Sequence, residues 1–200
     1  MLRVGLVMLQ GARHAHIQAL NSAADELNIG IEIFELRKDT DLLDSNPHAI
    51  ILPGGESTTM RLVGNSPSSN LLPKLFESMR KNPYLPVMGT CAGAILLADP
   101  QDKGEKIVDA DIDRNAYGNQ SESFQSVVNT ELISQDFLGV FIRAPRFLSL
   151  GSESEAIVLL DDEVVGVRTN NRIALTFHPE LSDNHGFHKW LLSKALEVSS

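Results

Sequence analysis

Between Ala49 and Ala98 the chain twice passes from a short apolar run into a turn of small residues, and this pattern constrains the fold more than any other feature. Ala49 to Leu52 is wholly apolar and stops at Pro53-Gly54-Gly55, while Pro86 to Gly89 runs through Thr90-Cys91 into the apolar helix-like stretch Ala92 to Ala98. The same rhythm holds upstream. Arg3 to Leu9 reads as a buried strand, and Ala15 to Leu27 carries Ile17, Leu20, Ala24 and Leu27 at helical spacing. Ile31 to Leu36 alternates like a strand, and Leu71 to Lys81 reads as a helix ending near Pro83. Strands alternating with helices imply an α/β fold of three layers, a mostly parallel sheet flanked by helices on both faces.

After Pro100 the pattern changes to short strand-like runs: Phe124 to Val128, Gly139 to Arg143, Ala156 to Leu160, Val164 to Arg168 and Arg172 to Phe177. Turn residues Gly118-Asn119, Asp161-Asp162 and Asn170-Asn171 separate them, so antiparallel strands are expected in this half before a closing helix from about Asn184 to Leu196. Two hundred residues with 42% hydrophobic content suit one domain spanning 1–200 with a sizeable core.

Composition narrows the partners. Lys and Arg number 17 against 26 Asp and Glu, a formal charge of −9, with no basic runs and no clustered aromatics, so nucleic acid is not an expected partner. Met1 to Leu9 is too short for a secretory core and lacks a cleavage site, and no stretch has the roughly 18 apolar residues of a membrane span. A single cysteine cannot form an internal disulfide, which fits a reducing cytoplasm.

That cysteine sits in Gly89-Thr90-Cys91-Ala92-Gly93, between an apolar strand and an apolar helix, the setting of a strand-turn-helix nucleophile elbow. Small neighbours tolerate the sharp turn, and the helix N-terminus favours the thiolate. Taken alone, a lone cysteine is more often a small buried hydrophobe. His178-Pro179-Glu180 follows the apolar run Ile173 to Phe177. Residues two apart on an extended chain face the same side, so Glu180 is expected to reach the His178 ring and fix its tautomer, leaving the other nitrogen to exchange a proton with the thiol. By itself, an H-x-E is more often a surface histidine beside an acid.

Pro53-Gly54-Gly55-Glu56-Ser57-Thr58 is a candidate oxyanion loop, in which the Gly54-Gly55 backbone could aim an N–H at a developing negative charge with the N–H of Ala92 as second donor. A phosphate loop would need a lysine after the glycines, and none is present; an ordinary turn remains open. Arg114 and Arg143 are candidate carboxylate partners, although each arginine singly is more often a solvated surface residue. His14, His16, His48, His185 and His188 show no metal-ligand spacing, there is no H-E-x-x-H, and no metal is expected.

These segments together resemble the class I, triad-type glutamine amidotransferases, whose fold is flavodoxin-like, and within them the glutaminase subunits of pyridoxal 5′-phosphate synthase. The matching pieces span nearly the whole chain: Leu9-Gln10-Gly11-Ala12 with His16, Leu52 to Met60, Gly89 to Gly93, Arg114 to Gly118, Gly139 to Pro145, and Phe177 to Leu181. The Gly-x-Cys-x-Gly and His-Pro-Glu patterns identify only the chemistry, whereas Pro53 to Met60, Arg114 to Gly118 and Gly139 to Pro145 are much more specific. The resemblance implies Cys91 as nucleophile with His178 and Glu180 completing a triad, and L-glutamine binding by Gly55, Glu56, Ser57, Arg114, Ile142 and Arg143. It also implies that ammonia passes to a separate synthase subunit that builds pyridoxal phosphate from ribose 5-phosphate and glyceraldehyde 3-phosphate, with no cofactor in this chain. Asn119 departs from the arginine usual there, and Ile95 stands where many other class I members carry glutamine. Two rival classes stay open on residues alone: a regulatory subunit that binds glutamine without hydrolysing it, and a cysteine peptidase or hydrolase on a related sheet.

Overall fold

The computed structural model describes every residue except Ala12, Asn115, residues 117–122 and Ser200. In chain order its strands are β1 (Leu2–Val7), β2 (Ile31–Leu36), β3 (Ala49–Leu52), β4 (Val87–Thr90), β5 (Ala110–Asp113), β6 (Ser123–Val128), β7 (Phe137–Ile142), β8 (Arg146–Leu150), β9 (Glu155–Leu160), β10 (Glu163–Thr169) and β11 (Arg172–Leu175). The helices are α1 (Arg13–Leu27), α2 (Asp39–Ser45), α3 (Ser57–Gly64), α4 (Leu71–Lys81), α5 (Ala92–Ala98) and α6 (Gly186–Ser199), with a 3-10 turn at Pro179–Leu181. No helix among the described residues is long and apolar enough to cross a membrane.

Seven strands form the central sheet in the order β2-β1-β3-β4-β11-β10-β9. The first five of these positions are joined by parallel pairings, and β10 and β9 extend the sheet antiparallel. β11 belongs to the parallel core against β4, although it follows a run of antiparallel strands in sequence. The other four strands form two separate hairpin-sized sheets, β5 with β8 and β6 with β7.

Every residue of β3, β4 and β11 is buried, in keeping with their largely apolar sequences, and the exceptions Thr90 and Arg172 are buried with them. Alternation of side chains divides each strand between two cores. Ile51, Met88 and Ile173 pack with Leu20, Ala23 and Ala24 of α1 and Leu191, Leu192 and Ala195 of α6. Ile50, Leu52, Val87 and Ala174 pack on the opposite face with Leu72, Leu75 and Phe76 of α4 and Leu96 and Leu97 of α5. α5 lies unusually close to the sheet: a Cβ on Gly93 would stand 1.9 Å from the Leu52 carbonyl oxygen, so only glycine permits this approach.

Parallel registry aligns the ends of three neighbouring strands. Leu52 pairs with Gly89 and Leu175 with Thr90, so the segments leaving β3, β4 and β11 emerge side by side at one sheet edge. Those segments are the Gly54-Gly55 loop, Cys91 and His178, which lie far apart in sequence. The C-terminal edge of a parallel sheet is where α/β folds place their ligands.

The elements read from sequence are present: Ile31–Leu36, Ala49–Leu52, Leu71–Lys81 and Ala92–Ala98 as expected, the others with at least one end shifted by one to three residues. Arg172 to Phe177 is shorter than expected: Thr176 N–H still bonds to Val165 of β10 at 2.9 Å, but His178 N–H turns to the Val140 carbonyl of β7 at 2.8 Å, which draws the chain off the sheet. α2 and α3, and the strands β5 and β8, were not expected. Both helices are short and depend on carboxylate caps: Asp41 accepts from the N–H groups of Arg37 and Lys38, and Glu56 from those of Thr58 and Thr59.

Candidate active site

Cys91 occupies the junction of β4 and α5 with φ 49° and ψ −108°, a conformation that costs a residue with a side chain about 1–3 kcal/mol. The backbone around it enforces the turn. Its N–H bonds to the Leu175 carbonyl at 2.8 Å, continuing the β4–β11 ladder, while its own carbonyl accepts the Ile95 N–H at 3.2 Å and begins α5. The sulfur is thereby lifted off the sheet edge, 3.9 Å from the Ile142 carbonyl oxygen.

His178 meets that sulfur from the end of β11. Its Nδ1 lies 2.8 Å from Glu180 Oε1, which leaves the other ring nitrogen available to the neighbouring Cys91 thiol. The route differs from the extended chain expected from His-Pro-Glu. Pro179–Leu181 forms a 3-10 turn that folds Glu180 back onto the ring. Burial alone would lower the His178 pKa, but its hydrogen bonds to Cys91 and Glu180 and their negative charge outweigh burial and push it up to about 10. Burial likewise pushes Glu180 up, yet the His178 hydrogen bond and the nearby His16 prevail and hold it below the usual carboxylate value. Both shifts favour an ion pair behind the sulfur.

An open cleft of about 720 Å³ lies over the sulfur. Gly54, Gly55, Glu56, Ser57, Cys91, Ala92, Arg114, Ile142, Arg143 and His178 all line it, and Glu180 stands behind His178 with 6% exposure. Gly54 passes so near Cys91 and His178 that an added Cβ would fall 2.5 Å from His178 Cε1. Arg114 Nη1 donates to Thr58 Oγ1 at 3.1 Å, which anchors the guanidinium at the start of α3. Arg143 is exposed in the turn that follows β7, with φ 46°. The Glu56 carboxylate is engaged by Thr58 N–H, the Thr59 hydroxyl and Thr59 N–H, bonds that lower its pKa to about 2.

Gln10, Gly11, Ile95 and Ser123 also line the cleft without having been singled out as site residues. Gln10 Oε1 accepts the Glu56 N–H at 2.7 Å and so ties the chain after β1 to the glycine loop. Its only sequence signal was membership in the Leu9 to Ala12 segment. Asn119 lies outside the described residues. Among the described residues, no group of three or more His, Cys, Asp or Glu is arranged to hold a metal ion.

A cysteine at a strand-helix elbow, a histidine held by a buried carboxylate beside it and a glycine loop over both form an arrangement chemically suited to amide hydrolysis through a thioester. A model of the SNO glutamine amidotransferase family matches residues 6–197. The chain belongs to that family. A solved glutamine amidotransferase superposes on this SNO-family chain with TM-score 0.79 at 34% identity, covering 96% of this chain and 98% of the other. PurLQS from Thermotoga maritima superposes over 100% of both chains with TM-score 0.66 at 16% identity, a likeness of fold alone. Among curated relatives, the pyridoxal 5′-phosphate synthase subunit PdxT of Pyrococcus abyssi is 42% identical over 98% of this chain and 100% of that protein. The subunit of the same name from Methanosarcina acetivorans is 33% identical over 98% and 99%.

Proposed function

We infer that this chain is the glutaminase subunit of pyridoxal 5′-phosphate synthase, hydrolysing L-glutamine to L-glutamate and ammonia and passing the ammonia to a synthase subunit that makes pyridoxal phosphate. The observation that carries the chemistry is the His178 ring, held at Nδ1 by the buried carboxylate of Glu180 and lining one cleft with Cys91. Full-length likeness to subunits of that synthase supports the pathway.

The Cys91 thiolate attacks the side-chain amide carbon of glutamine, and the resulting oxyanion is held by N–H groups of the Gly54-Gly55 loop and of Ala92. As the first residue of α5, Ala92 offers an N–H with no partner inside the helix. Protonated His178 gives its proton to the departing ammonia, leaving a glutamyl thioester. The same ring then takes a proton from water, the hydroxide attacks the thioester carbonyl, and glutamate leaves as the thiolate is restored. Arg114 and Arg143 bind the α-carboxylate, the Ile142 carbonyl faces the α-ammonium, and Gly55 and Ser57 line the amide end. Glu56 acts with them by bracing the loop through its bonds to α3. The reading assigns residues 1–200 to one glutaminase domain working in the cytoplasm, and none of its steps calls for a cofactor or a metal.

The test is ammonia release by the chain assembled with its synthase partner. Cys91→Ala is expected to reduce glutamine turnover by about four orders of magnitude or more, the scale of losing a covalent nucleophile. Circular dichroism and partner binding are expected to be unchanged. Near-normal ammonia release by that variant contradicts the proposal.

A further inference from the structure

Glu180 uses Oε1 on His178, but Oε2 is equally buried and lies outside the scheme above. His16 Nε2 of α1 lies 3.5 Å from it, and both side chains are fully removed from solvent. The separation is long for a hydrogen bond. Among the described residues neither atom has a hydrogen-bond partner, so this contact is the nearest that either comes to satisfaction. On its far side, His16 Nδ1 lies 3.1 Å from His188 Nε2 of α6, another histidine with no exposure.

Proton counting fixes the direction of this chain. An ionised carboxylate only accepts, so His16 Nε2 must carry hydrogen. A neutral His16 then offers a lone pair at Nδ1, which requires hydrogen on His188 Nε2. Burial lowers the pKa of both rings, most for His188; His178 and His185 add unfavourable charge, and only Glu180 acts in the opposite direction, on His16. Both rings are therefore neutral, and the hydrogen bonds run from His188 to His16 to Glu180, where they meet the bond from His178.

We propose that His16, held in one tautomer by His188, is a positioning residue for the reaction: it grips Glu180 Oε2 so that Oε1 stays aimed at His178 Nδ1. The inference rests on the catalytic role assigned above to Cys91, His178 and Glu180. A buried carboxylate oxygen that loses a donor becomes harder to ionise, and the imidazolium loses part of the charge that stabilises it. The groups facing His16 are Glu180 and His178 from the end of β11 and His188 from α6, with His185 beyond. Removing the donor therefore narrows the active pH range from both sides. Glu180 protonates at higher pH, which raises the acid limit, and His178 loses its proton at lower pH, which lowers the alkaline limit.

The experiment compares pH profiles of glutamine hydrolysis by the assembled complex for wild type, His16→Leu and His16→Gln. His16→Leu is expected to lower kcat about 10-fold or more, the scale of a hydrogen bond to a charged group. KM is expected to stay within about twofold while both pH limits move inward, because the substrate contacts are untouched. Glutamine retains a donor and an acceptor, so His16→Gln recovers much of kcat and of the pH range. Unmoved pH limits, or equal losses in both variants, indicate a merely structural role and overturn the proposal. Nitrogen NMR of the histidines in the wild-type chain decides the matter if His16→Leu fails to fold. A proton on His16 Nε2 supports the chain and a proton on Nδ1 overturns it. The NMR result does not depend on turnover, so failure of the glutaminase reading would appear separately, as no ammonia release by wild type.

Discussion

At the scale of residues, the site depends on very close approaches. Gly54 faces His178 Cε1 and the Cys91 Cβ, and an added methyl would stand 2.5 and 3.4 Å from them. Its backbone does not require the left-handed region, so alanine is tolerable as backbone and intolerable as volume. Gly54→Ala is accordingly expected to leave stability within about 1–3 kcal/mol of wild type. It should cut kcat by about 100-fold through displacement of the imidazole. Steady-state kinetics alongside thermal melting checks this, and normal turnover would show that the ring has room to spare. The Cys91 elbow and the His178-Glu180 pair were legible in the sequence because their chemistry lies within five and three residues. The contact of His16 with His188 was not, because 172 positions separate them; His16 was marked only as part of a matching segment, and His188 by nothing local.

At the scale of elements, the parallel core could be read from Ala49 to Leu52 and Pro86 to Gly89, since a strand buried on both faces has to be apolar throughout. The short helices escaped notice for an equally physical reason. Ser57–Gly64 begins with three hydroxyl-rich residues of ordinary loop character, and it becomes a helix because Glu56 satisfies its first N–H groups. β5, with two aspartates in four residues, becomes a strand only through its partner β8. The α1–α6 contact behind the site has a pH dependence with a definite sign. Burial makes His16 and His188 titrate lower when folded than the ordinary histidine value of 6.5, so their contribution is full above that value and declines as pH falls. His178 titrates higher when folded, so its contribution is full below 6.5 and declines toward about 10. Below pH 6.5 the His178 contribution is already full, so the loss from the two buried rings weakens the α1–α6 contact as pH falls further. Hydrogen exchange in α1 and α6 is expected to accelerate before exchange in β3 and β4 as pH is lowered. Uniform acceleration through the sheet would contradict this.

At the scale of the whole molecule, the sheet serves as a device for registration. Three adjacent strands end level with one another, which delivers loop, sulfur and imidazole to one edge from positions 54, 91 and 178. Sequence pattern implied the layers but not this registry, because pairing order is a property of the folded sheet. If the chain only supplies ammonia, the synthase partner should work without its chemistry. A complex carrying Cys91→Ala is expected to make no pyridoxal phosphate from glutamine and to recover synthesis when an ammonium salt is supplied. Absence of that recovery, with the complex assembled, would mean that this chain contributes more to the synthase than nitrogen.

The central claim is that the one cysteine of this chain forms the bond to glutamine. Titrating the assembled complex with a glutamine analogue bearing an electrophilic side-chain carbon, while following both peptide mass and ammonia release, tests it most directly. The account predicts one label per chain, located at Cys91, with activity falling in proportion to labelling. Full labelling of Cys91 with ammonia release intact would contradict it.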